Sequence, residues 1–376
     1  MTAIYVHVPY CRRKCPYCDF ASVPLNGSVF AYLDALAEEA AKLAGGISPA
    51  ETVYIGGGTP TVLDTDELRL LFRFLRTTFE VTPRAEITIE ANPGTLTPAK
   101  AEALAACGVN RVSLGAQSFV DSELSLLGRS HEAQDILRAF SVLRRSGMDN
   151  LSLDLLYALP GQSQETWRHS LARAIELKPE HISTYCLTFE PGTRFGRSLR
   201  GGEIEKKSDE EEAELYETAR ELLVHAGYEH YEISNFALPG KRSLHNTVYW
   251  SNEQYLGLGA SAVSYLGDRR ITNLHEPAEY IRAVESRGNA AAEIEEIPLR
   301  MQAVETMIQR LRLREGIDCA AFTKRFGFPP EDMLGDSLGE LLELGLLEHD
   351  GTTIRCSLSG WHLANEIALR ILPQPS

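Results

Sequence analysis

The chain has 376 residues, of which 44% are hydrophobic and 24% charged, and its formal net charge at pH 7 is -15. This composition allows a large core and a smaller second domain, and it excludes an intrinsically disordered chain. The acidic balance argues against nonspecific binding to nucleic acid. The sequence contains no apolar run of about 18 residues, so we expect no transmembrane segment. Peripheral contact with a membrane remains open.

The first apolar run precedes the basic residues Arg12, Arg13 and Lys14. A signal peptide has the opposite order, so we expect none, and we expect the chain to be cytoplasmic, where thiols stay reduced. Strand-like and helix-like stretches then alternate up to residue 226. The predicted strands are residues 4–8, 52–55, 86–90, 111–115, 151–156 and 181–187, and the clearest predicted helices are 29–44, 65–79, 134–146 and 208–226.

Such β-α units predict parallel strands joined by right-handed crossovers, in either an open doubly wound sheet or a partial barrel. In both folds the functional groups gather at the carboxyl ends of the strands. Those ends carry the first three cysteines, the turn Gly56-Gly57-Gly58-Thr59-Pro60, Glu90, Gln117 and Asp154. We therefore expect these groups to converge on one face.

After residue 226 the pattern becomes irregular, and from Pro298 the chain resembles a separate small domain. Helical runs at 299–314 and 331–344 precede a predicted hairpin at Asp350-Gly351 and a last helix, which suggests a winged-helix shape. The second helical run carries five acidic residues and no Lys or Arg, which opposes DNA binding. The predicted division is 1–235, 236–295 as an irregular connecting segment, and 296–376.

Three of the seven cysteines lie in the motif Cys11-Arg-Arg-Lys-Cys15-Pro-Tyr-Cys18. Structural zinc with a further ligand is one interpretation, and a thioredoxin-like Cys15-Pro-Tyr-Cys18 leaves Cys11 unexplained. The favoured interpretation is a [4Fe-4S] cluster with three thiolate-bound irons and one open iron. The other cysteines are expected to be plain buried thiols: Cys107, Cys186, Cys319 and Cys356.

The C-x3-C-x2-C motif, with Tyr17 just before the last cysteine, resembles the radical S-adenosylmethionine (SAM) superfamily. The resemblance implies that the amino and carboxylate groups of SAM bind the open iron. It also implies that the Gly56–Pro60 turn approaches the SAM amino group with bare backbone. The implied fold is a partial (β/α)6 radical SAM barrel with a small C-terminal winged-helix-like α+β domain.

Further motifs resemble the oxygen-independent coproporphyrinogen III oxidase group: Tyr-Val-His-Val-Pro, Thr-Ile-Glu-Ala-Asn-Pro, Ser-Leu-Gly-Ala-Gln-Ser, Leu-Gly-Arg and Asp-Leu-Leu-Tyr-Ala-Leu-Pro-Gly. This resemblance assigns residues to cofactors. Beside the cluster, the implied SAM contacts are Tyr5, Tyr17, Gly57 and Glu90. A second SAM-like site would be lined by Gly58, Thr59, Gln117, Arg129 and Asp154, and the backbone near Val263 would border the cofactor.

Three departures from the oxidases favour their heme chaperone (HemW) branch. Phe20 stands where the oxidases carry a further cysteine, ten residues precede Cys11, and His245-Asn246-Thr-Val-Tyr249-Trp250 resembles the branch motif H-N-x-x-Y-W. That branch implies heme binding and delivery of heme to recipient hemoproteins. His245, Tyr249 and Trp250 are the heme candidates, although they could equally hold a loop. The alternative is coproporphyrinogen III oxidation, for which no catalytic residue is assigned.

Overall fold

The computed structural model describes residues 2–26 and 29–372. In chain order the strands are β1 Ala3–Val8, β2 Tyr10–Cys11, β3 Val23–Pro24, β4 Ala50–Gly57, β5 Val81–Ala91, β6 Arg111–Gln117, β7 Leu151–Tyr157, β8 His181–Cys186, β9 Glu229–Glu232, β10 Asn235–Ala237, β11 Tyr255–Leu258, β12 Val263–Leu266, β13 Arg269–Asn273, β14 Ala291–Glu296, β15 Ile317–Asp318, β16 Leu347–His349 and β17 Thr353–Cys356. The helices are α1 Phe30–Leu43, α2 Thr65–Thr78, α3 Pro98–Ala106, α4 Asp121–Leu126, α5 Ala133–Arg145, α6 Gln164–Glu176, α7 Arg194–Arg200, α8 Asp209–His225, α9 Leu244–Trp250, α10 Pro277–Arg287, α11 Leu299–Arg310, α12 Cys319–Phe326, α13 Pro330–Leu334, α14 Asp336–Glu343, α15 Leu358–His362 and α16 Ala364–Ile371.

Six parallel strands, in the order β1-β4-β5-β6-β7-β8, form the centre of a 12-stranded sheet. Each connection between them carries at least one helix, from α1 before β4 to α6 before β8. The outermost strands β14 and β9 end the order without pairing to each other, so the barrel is incomplete. The predicted (β/α)6 fold is confirmed.

The two faces of the parallel strands differ in polarity. Alternate residues such as Val53, Ile89 and Leu153 pack in the main hydrophobic core. The intervening residues point to the opposite face, which is polar and lines a cavity: Tyr54, Glu90, Arg111, Ser113, Asp154 and Ser183. Parallel sheets usually bury apolar side chains on both faces, so this polar inner face indicates a binding site.

The predicted irregular character of the connecting segment 236–295 is wrong for most of its length. Strand β11 pairs in parallel with β1, and β12, β13 and β14 continue the same sheet in antiparallel order. The outer strands β13 and β14 carry mostly polar residues and lie largely at the surface, so they lack the apolar run that marks the barrel strands. Cross-strand pairs, including Arg270 with Glu295 at 3.0 Å, support the outer edge.

Residue Glu39 of α1 joins this sheet extension to the barrel. Its carboxylate accepts hydrogen bonds from the backbone N–H of Gly259 (2.9 Å), the side-chain amide of Asn273 (2.7 Å) and the hydroxyl of Tyr280 (2.7 Å). The side chain is buried, so water cannot replace these bonds. The turn after β11, strand β13 and helix α10 therefore depend on one buried acceptor.

The C-terminal part has its own hydrophobic cluster, which includes Leu341 and Trp361. Strands β15, β17 and β16 form a separate three-stranded sheet. The predicted hairpin is confirmed: Asp350 accepts hydrogen bonds from the N–H groups of Thr352 and Thr353 in its turn. The predicted helix 331–344 is instead two helices, α13 and α14, because Gly335 at φ 50° interrupts it. None of the helices in the described ranges has the length and apolar character needed to cross a membrane.

We expect Glu39→Ala to lower the free energy of unfolding by about 2–4 kcal/mol, because it leaves three buried donors without their acceptor. The adjacent Glu38 forms a solvent-facing pair with Lys42 at 2.7 Å. The control Glu38→Ala should therefore change the free energy of unfolding by less than about 1 kcal/mol. Urea denaturation measures both variants, and equal losses would contradict the role of Glu39.

Candidate functional site

The cysteine motif forms a loop held against the end of the barrel. Strand β2 ends at Cys11 and pairs with β3, and the N–H of Leu25 donates to the carbonyl of Cys11 at 2.8 Å. A turn brings the N–H of Cys18 to the carbonyl of Cys15 at 3.2 Å. All three cysteines line one cavity of about 670 Å³ at the carboxyl ends of the parallel strands. The predicted convergence of these groups is therefore observed.

The three thiols of the loop fit an iron–sulfur cluster. Cys11, Cys15 and Cys18 lie within eight residues and all line the same cavity. Structural zinc takes four protein ligands, whereas a [4Fe-4S] cluster held by three thiolates leaves one iron open for a small ligand.

The glycine turn after β4 packs directly under the cysteine loop. The N–H of Gly58 donates to Val8 and that of Thr59 donates to Tyr10, each at 2.8 Å. A Cβ on Gly57 would lie 2.5 Å from the His7 ring, and one on Gly58 would lie 2.6 Å from the Tyr10 carbonyl. Since Gly57 also has φ 109°, only glycine permits this approach of backbone to the loop.

The carboxylate of Glu90 faces the cavity from the end of β5. It accepts hydrogen bonds from the Tyr54 hydroxyl (2.8 Å) and the Gly57 N–H (3.1 Å). Burial, together with the neighbouring charge of Asp154, raises the pKa of Glu90 to about 7, although the Tyr54 hydrogen bond opposes this shift. A ligand that brings an amino group or hydroxyl groups would favour the ionised form.

The second carboxylate, Asp154 on β7, lies among serine hydroxyl groups. The Ser113 hydroxyl lies 2.9 and 3.0 Å from its two oxygens, and the Ser152 hydroxyl lies at 3.4 Å. Burial raises the pKa of Asp154 above its ordinary value. Because neutral groups hold this carboxylate, it retains the capacity to bind ribose hydroxyls or an ammonium group.

Arg129 supplies a positive charge to the cavity. Its guanidinium donates to the Gly115 carbonyl at 2.9 Å and approaches the Cys15 sulfur at 3.8 Å. Its Nε is buried without a hydrogen-bond partner. A ligand carboxylate beside the cysteine loop would satisfy that donor, and the site therefore fits a zwitterionic group next to a cluster.

Most of the predicted cofactor residues share the cavity. Gln117 lies there in the left-handed region at φ 67°, a conformation that is uncommon outside glycine and often marks functional sites. The predicted residues that line the cavity are Cys11, Cys15, Tyr17, Cys18, Gly57, Gly58, Thr59, Glu90, Gln117, Arg129 and Asp154. Tyr5 and Val263 lie outside that lining: the Tyr5 hydroxyl contacts His7 at 3.0 Å, and Val263 packs its backbone against Gly257.

The heme candidate His245 is an interior residue with only 1% of its surface exposed. Its Nδ1 lies 2.9 Å from the Thr52 hydroxyl, and its Nε2 lies 2.9 Å from the Tyr249 hydroxyl. Burial lowers the pKa of His245 to about 3, so the ring is neutral. With both nitrogens engaged, the geometry favours the structural interpretation of the motif over axial ligation of heme.

The same motif reaches the cavity indirectly. The His245 ring stacks on Tyr54 with a centroid distance of 5.0 Å, and Tyr54 in turn donates to Glu90. Trp250 lies under the guanidinium of Arg312 at 4.4 Å. Asn246 is the motif residue that lines the cavity. We infer that the motif fixes Tyr54, and through it the carboxylate of Glu90.

Tyr54 and Arg111 line the cavity but were not among the predicted site residues. Tyr54 follows the alternating pattern of β4, and Arg111 is the first residue of the otherwise uncharged strand β6. Arg111 is 2% exposed and its Nε has no hydrogen-bond partner. A charged residue at the start of a buried strand was the available signal, because such burial is rare without a partner or a ligand.

Comparison with known proteins places the chain in a defined group. Residues 5–174 match the radical SAM superfamily and residues 297–363 match the HemN C-terminal domain. "Heme chaperone HemW" from Lactococcus lactis subsp. lactis (strain IL1403) is 36% identical over 369 residues, which cover 98% of this chain and 96% of the relative. "Heme chaperone HemW" from Bacillus subtilis (strain 168) is 35% identical over 98% of both chains.

The fold is also that of a solved enzyme. The structure of coproporphyrinogen III oxidase (HemN) from Escherichia coli, described as a radical SAM enzyme, aligns with a TM-score of 0.86 at 25% identity. The alignment covers 98% of this chain and 89% of that chain. The resemblance predicted from the motifs is confirmed.

We expect Cys18→Ala to abolish the broad iron–sulfur absorbance at about 400 nm after anaerobic reconstitution with iron and sulfide, because one of three thiolate ligands is lost. The fold should survive, since the turn at this position uses the Cys18 backbone. Iron analysis and circular dichroism measure the two effects. Cys107→Ala, outside the cavity lining, should keep the full absorbance, and an unchanged Cys18→Ala spectrum would contradict the ligand assignment.

A second expectation concerns Glu90, whose pKa is raised from 4.5 to about 7 on folding. The stability that this group contributes is fully present below pH 4.5 and is lost as the pH rises through 7. Compared with Glu90→Gln, the wild-type, cluster-free chain should therefore lose up to about 3 kcal/mol of unfolding free energy across that interval. Urea denaturation at pH 5 and pH 8 measures this difference.

The matched variant for this experiment is Tyr54→Phe, which removes the hydroxyl that donates to Glu90. It should raise the pKa of Glu90 in the folded chain further, because the ionised carboxylate loses a stabilising hydrogen bond. The loss of stability should then extend to higher pH than in the wild type. Identical pH profiles for wild type and Glu90→Gln would show that Glu90 does not titrate in this way.

Proposed function

The chain belongs to the HemW family of the radical SAM superfamily, and from that membership we propose that it is a heme chaperone that binds heme and delivers it to hemoproteins. The observation that carries the proposal is the similarity to heme chaperones along 98% of the chain at 35–36% identity. The oxidase relative shares the fold at 25% identity. The proposed cofactors are a [4Fe-4S] cluster and SAM.

In this proposal the cluster is held by Cys11, Cys15 and Cys18. Cluster-bound SAM lies against Tyr17, Gly57 and Glu90, with Tyr5 supporting His7 beneath them. The family resemblance gives the rest of the cavity to the second SAM-like site: Gly58, Thr59, Gln117, Arg129 and Asp154. When bound, the cluster would supply an open iron that the amino and carboxylate groups of SAM can chelate, and an electron that can be passed to SAM.

Residue Phe20 supports a carrier over an oxidase. It lines the cavity, with 67% of its surface exposed, at the position where the oxidases carry a cysteine. A phenyl ring has no ionisable proton and cannot ligate a metal, so it cannot replace a thiol in chemistry. An exposed aromatic ring can instead pack against a flat macrocycle.

We place the heme at the mouth of the cavity, on the cysteine loop. Arg12, Arg13 and Lys14 are exposed and line the same cavity as Phe20. Heme combines an apolar plane with anionic propionates, so a cavity that offers an exposed aromatic ring and three cations has the matching chemistry. His245, held by Tyr249, then acts through the Tyr54–Glu90 contact, while Trp250 packs under Arg312.

The reduced thiols that the cluster requires agree with a cytoplasmic protein, and the recipient hemoproteins would meet the heme at this exposed loop. We retain the proposed division into a barrel at 1–235, a connecting segment at 236–295 and a C-terminal domain at 296–376. The acidic chain remains a poor candidate for nucleic acid binding.

The test is to reconstitute the cluster anaerobically and then to follow heme binding and consumption of coproporphyrinogen III in parallel, with SAM present. We expect stoichiometric heme binding, transfer of heme to an apo-hemoprotein, and no consumption of the porphyrinogen. Sustained turnover of coproporphyrinogen III would establish the oxidase alternative instead.

The heme position has its own variants. Phe20→Ser and the double variant Arg13→Glu/Lys14→Glu should each weaken heme binding at least about tenfold, a loss of about 1.4 kcal/mol, while cluster absorbance stays unchanged. Arg73→Glu, an exposed charge reversal on α2, is the control and should bind heme normally. Normal heme affinity in both loop variants would exclude this position for the heme but would not contradict the proposed chaperone function.

A further inference from the structure

A second set of metal-binding groups lies in the C-terminal domain, outside the cavity. Cys319 begins α12, Glu331 lies in α13 and His349 ends β16. Their donor atoms, one from each side chain, all lie within 4.8 Å of one another. Three elements that are separated along the chain thus bring a thiol, a carboxylate and an imidazole to one point.

Hydrogen bonding accounts for only part of this grouping. The Cys319 thiol is hydrogen-bonded to the Glu331 carboxylate, but the Nε2 of His349 lies 3.5 Å from Oε1 of Glu331, which is too long for a good hydrogen bond. Although both side chains are partly exposed, the atoms His349 Nε2 and Glu331 Oε2 are buried and have no hydrogen-bond partner. Buried polar atoms normally have partners, so two unpartnered atoms in the same cluster indicate a ligand that bonds to both.

We propose that Cys319, Glu331 and His349 bind a zinc ion. A thiolate, an imidazole and a carboxylate are the three ligand types that zinc accepts in proteins. The soft sulfur disfavours magnesium and calcium, which take oxygen ligands. Three protein ligands leave a fourth tetrahedral position for water.

The surroundings favour a cation at this point. Asp318 accepts the N–H of Ala321 at 2.7 Å, and Asp350 accepts the N–H groups of Thr352 and Thr353. These carboxylates cap a helix and a turn, so their hydrogen bonds fix them beside Cys319 and His349 without making them ligands. They add negative charge around the ion.

Such a zinc ion would connect the β16–β17 hairpin to α12 and α13. The hairpin itself has only two short strands, of three and four residues. The metal would therefore stabilise the C-terminal domain, where the hydrophobic cluster is small compared with that of the barrel. This role is independent of heme binding and of the cysteine loop.

The experiment uses the full chain with Cys11, Cys15 and Cys18 replaced by Ser, which removes the competing thiolates. After zinc loading and gel filtration, we expect one zinc ion per chain by elemental analysis, and cobalt substitution should give a thiolate-to-cobalt absorption band. Adding Cys319→Ser should remove that band. Cys319→Ser and His349→Gln should each weaken zinc binding at least about tenfold, the effect that even outer-shell substitutions reach.

The control is Cys107→Ser in the same background, which should keep the zinc and the cobalt band. If the background variant fails to fold, the same zinc titration is made on cluster-loaded wild type and cluster-loaded Cys319→Ser. Zinc content that is equal with and without Cys319 and His349, or no zinc bound at micromolar concentration, would overturn the proposal.

Discussion

The contact between the glycine turn and the cysteine loop is the constraint on which the site depends. The N–H groups of Gly58 and Thr59 hold the chain around Val8 and Tyr10, immediately before Cys11. A side chain at Gly57 or Gly58 would collide with His7 or with the Tyr10 backbone. The position of the three thiols relative to the barrel therefore follows from two missing side chains.

The polar inner face of the barrel carries charged groups that the folded chain stabilises only in part. Glu90 and Asp154 are partly buried carboxylates whose hydrogen-bond donors are hydroxyl and amide groups, and their raised pKa values reflect the cost of taking a charge out of water. Arg129 and Arg111 keep buried donors without partners. These groups remain available to a ligand of matching polarity because the folded chain satisfies them only in part.

The segment after β10 is tied to the barrel at two points, Glu39 and His245. Glu39 anchors the turn after β11, and α9 inserts His245 between Thr52 and Tyr249 so that its ring supports Tyr54. The branch motif of the family is thereby linked to Glu90 in the cavity. The motif is therefore joined, through Tyr54, to the cavity that the three cysteines line.

The sequence by itself determined the six parallel strands, the cysteine set and the polar strand ends, because short apolar strands and fixed motif spacings are local signals. Phe20 and the His245 motif likewise identified the branch without coordinates. The tertiary structure decided three further points: that residues 255–296 extend the sheet, that His245 is buried with both nitrogens engaged, and that Cys319, Glu331 and His349 meet. Each depends on contacts between residues far apart in the chain, and local periodicity carries no record of such contacts.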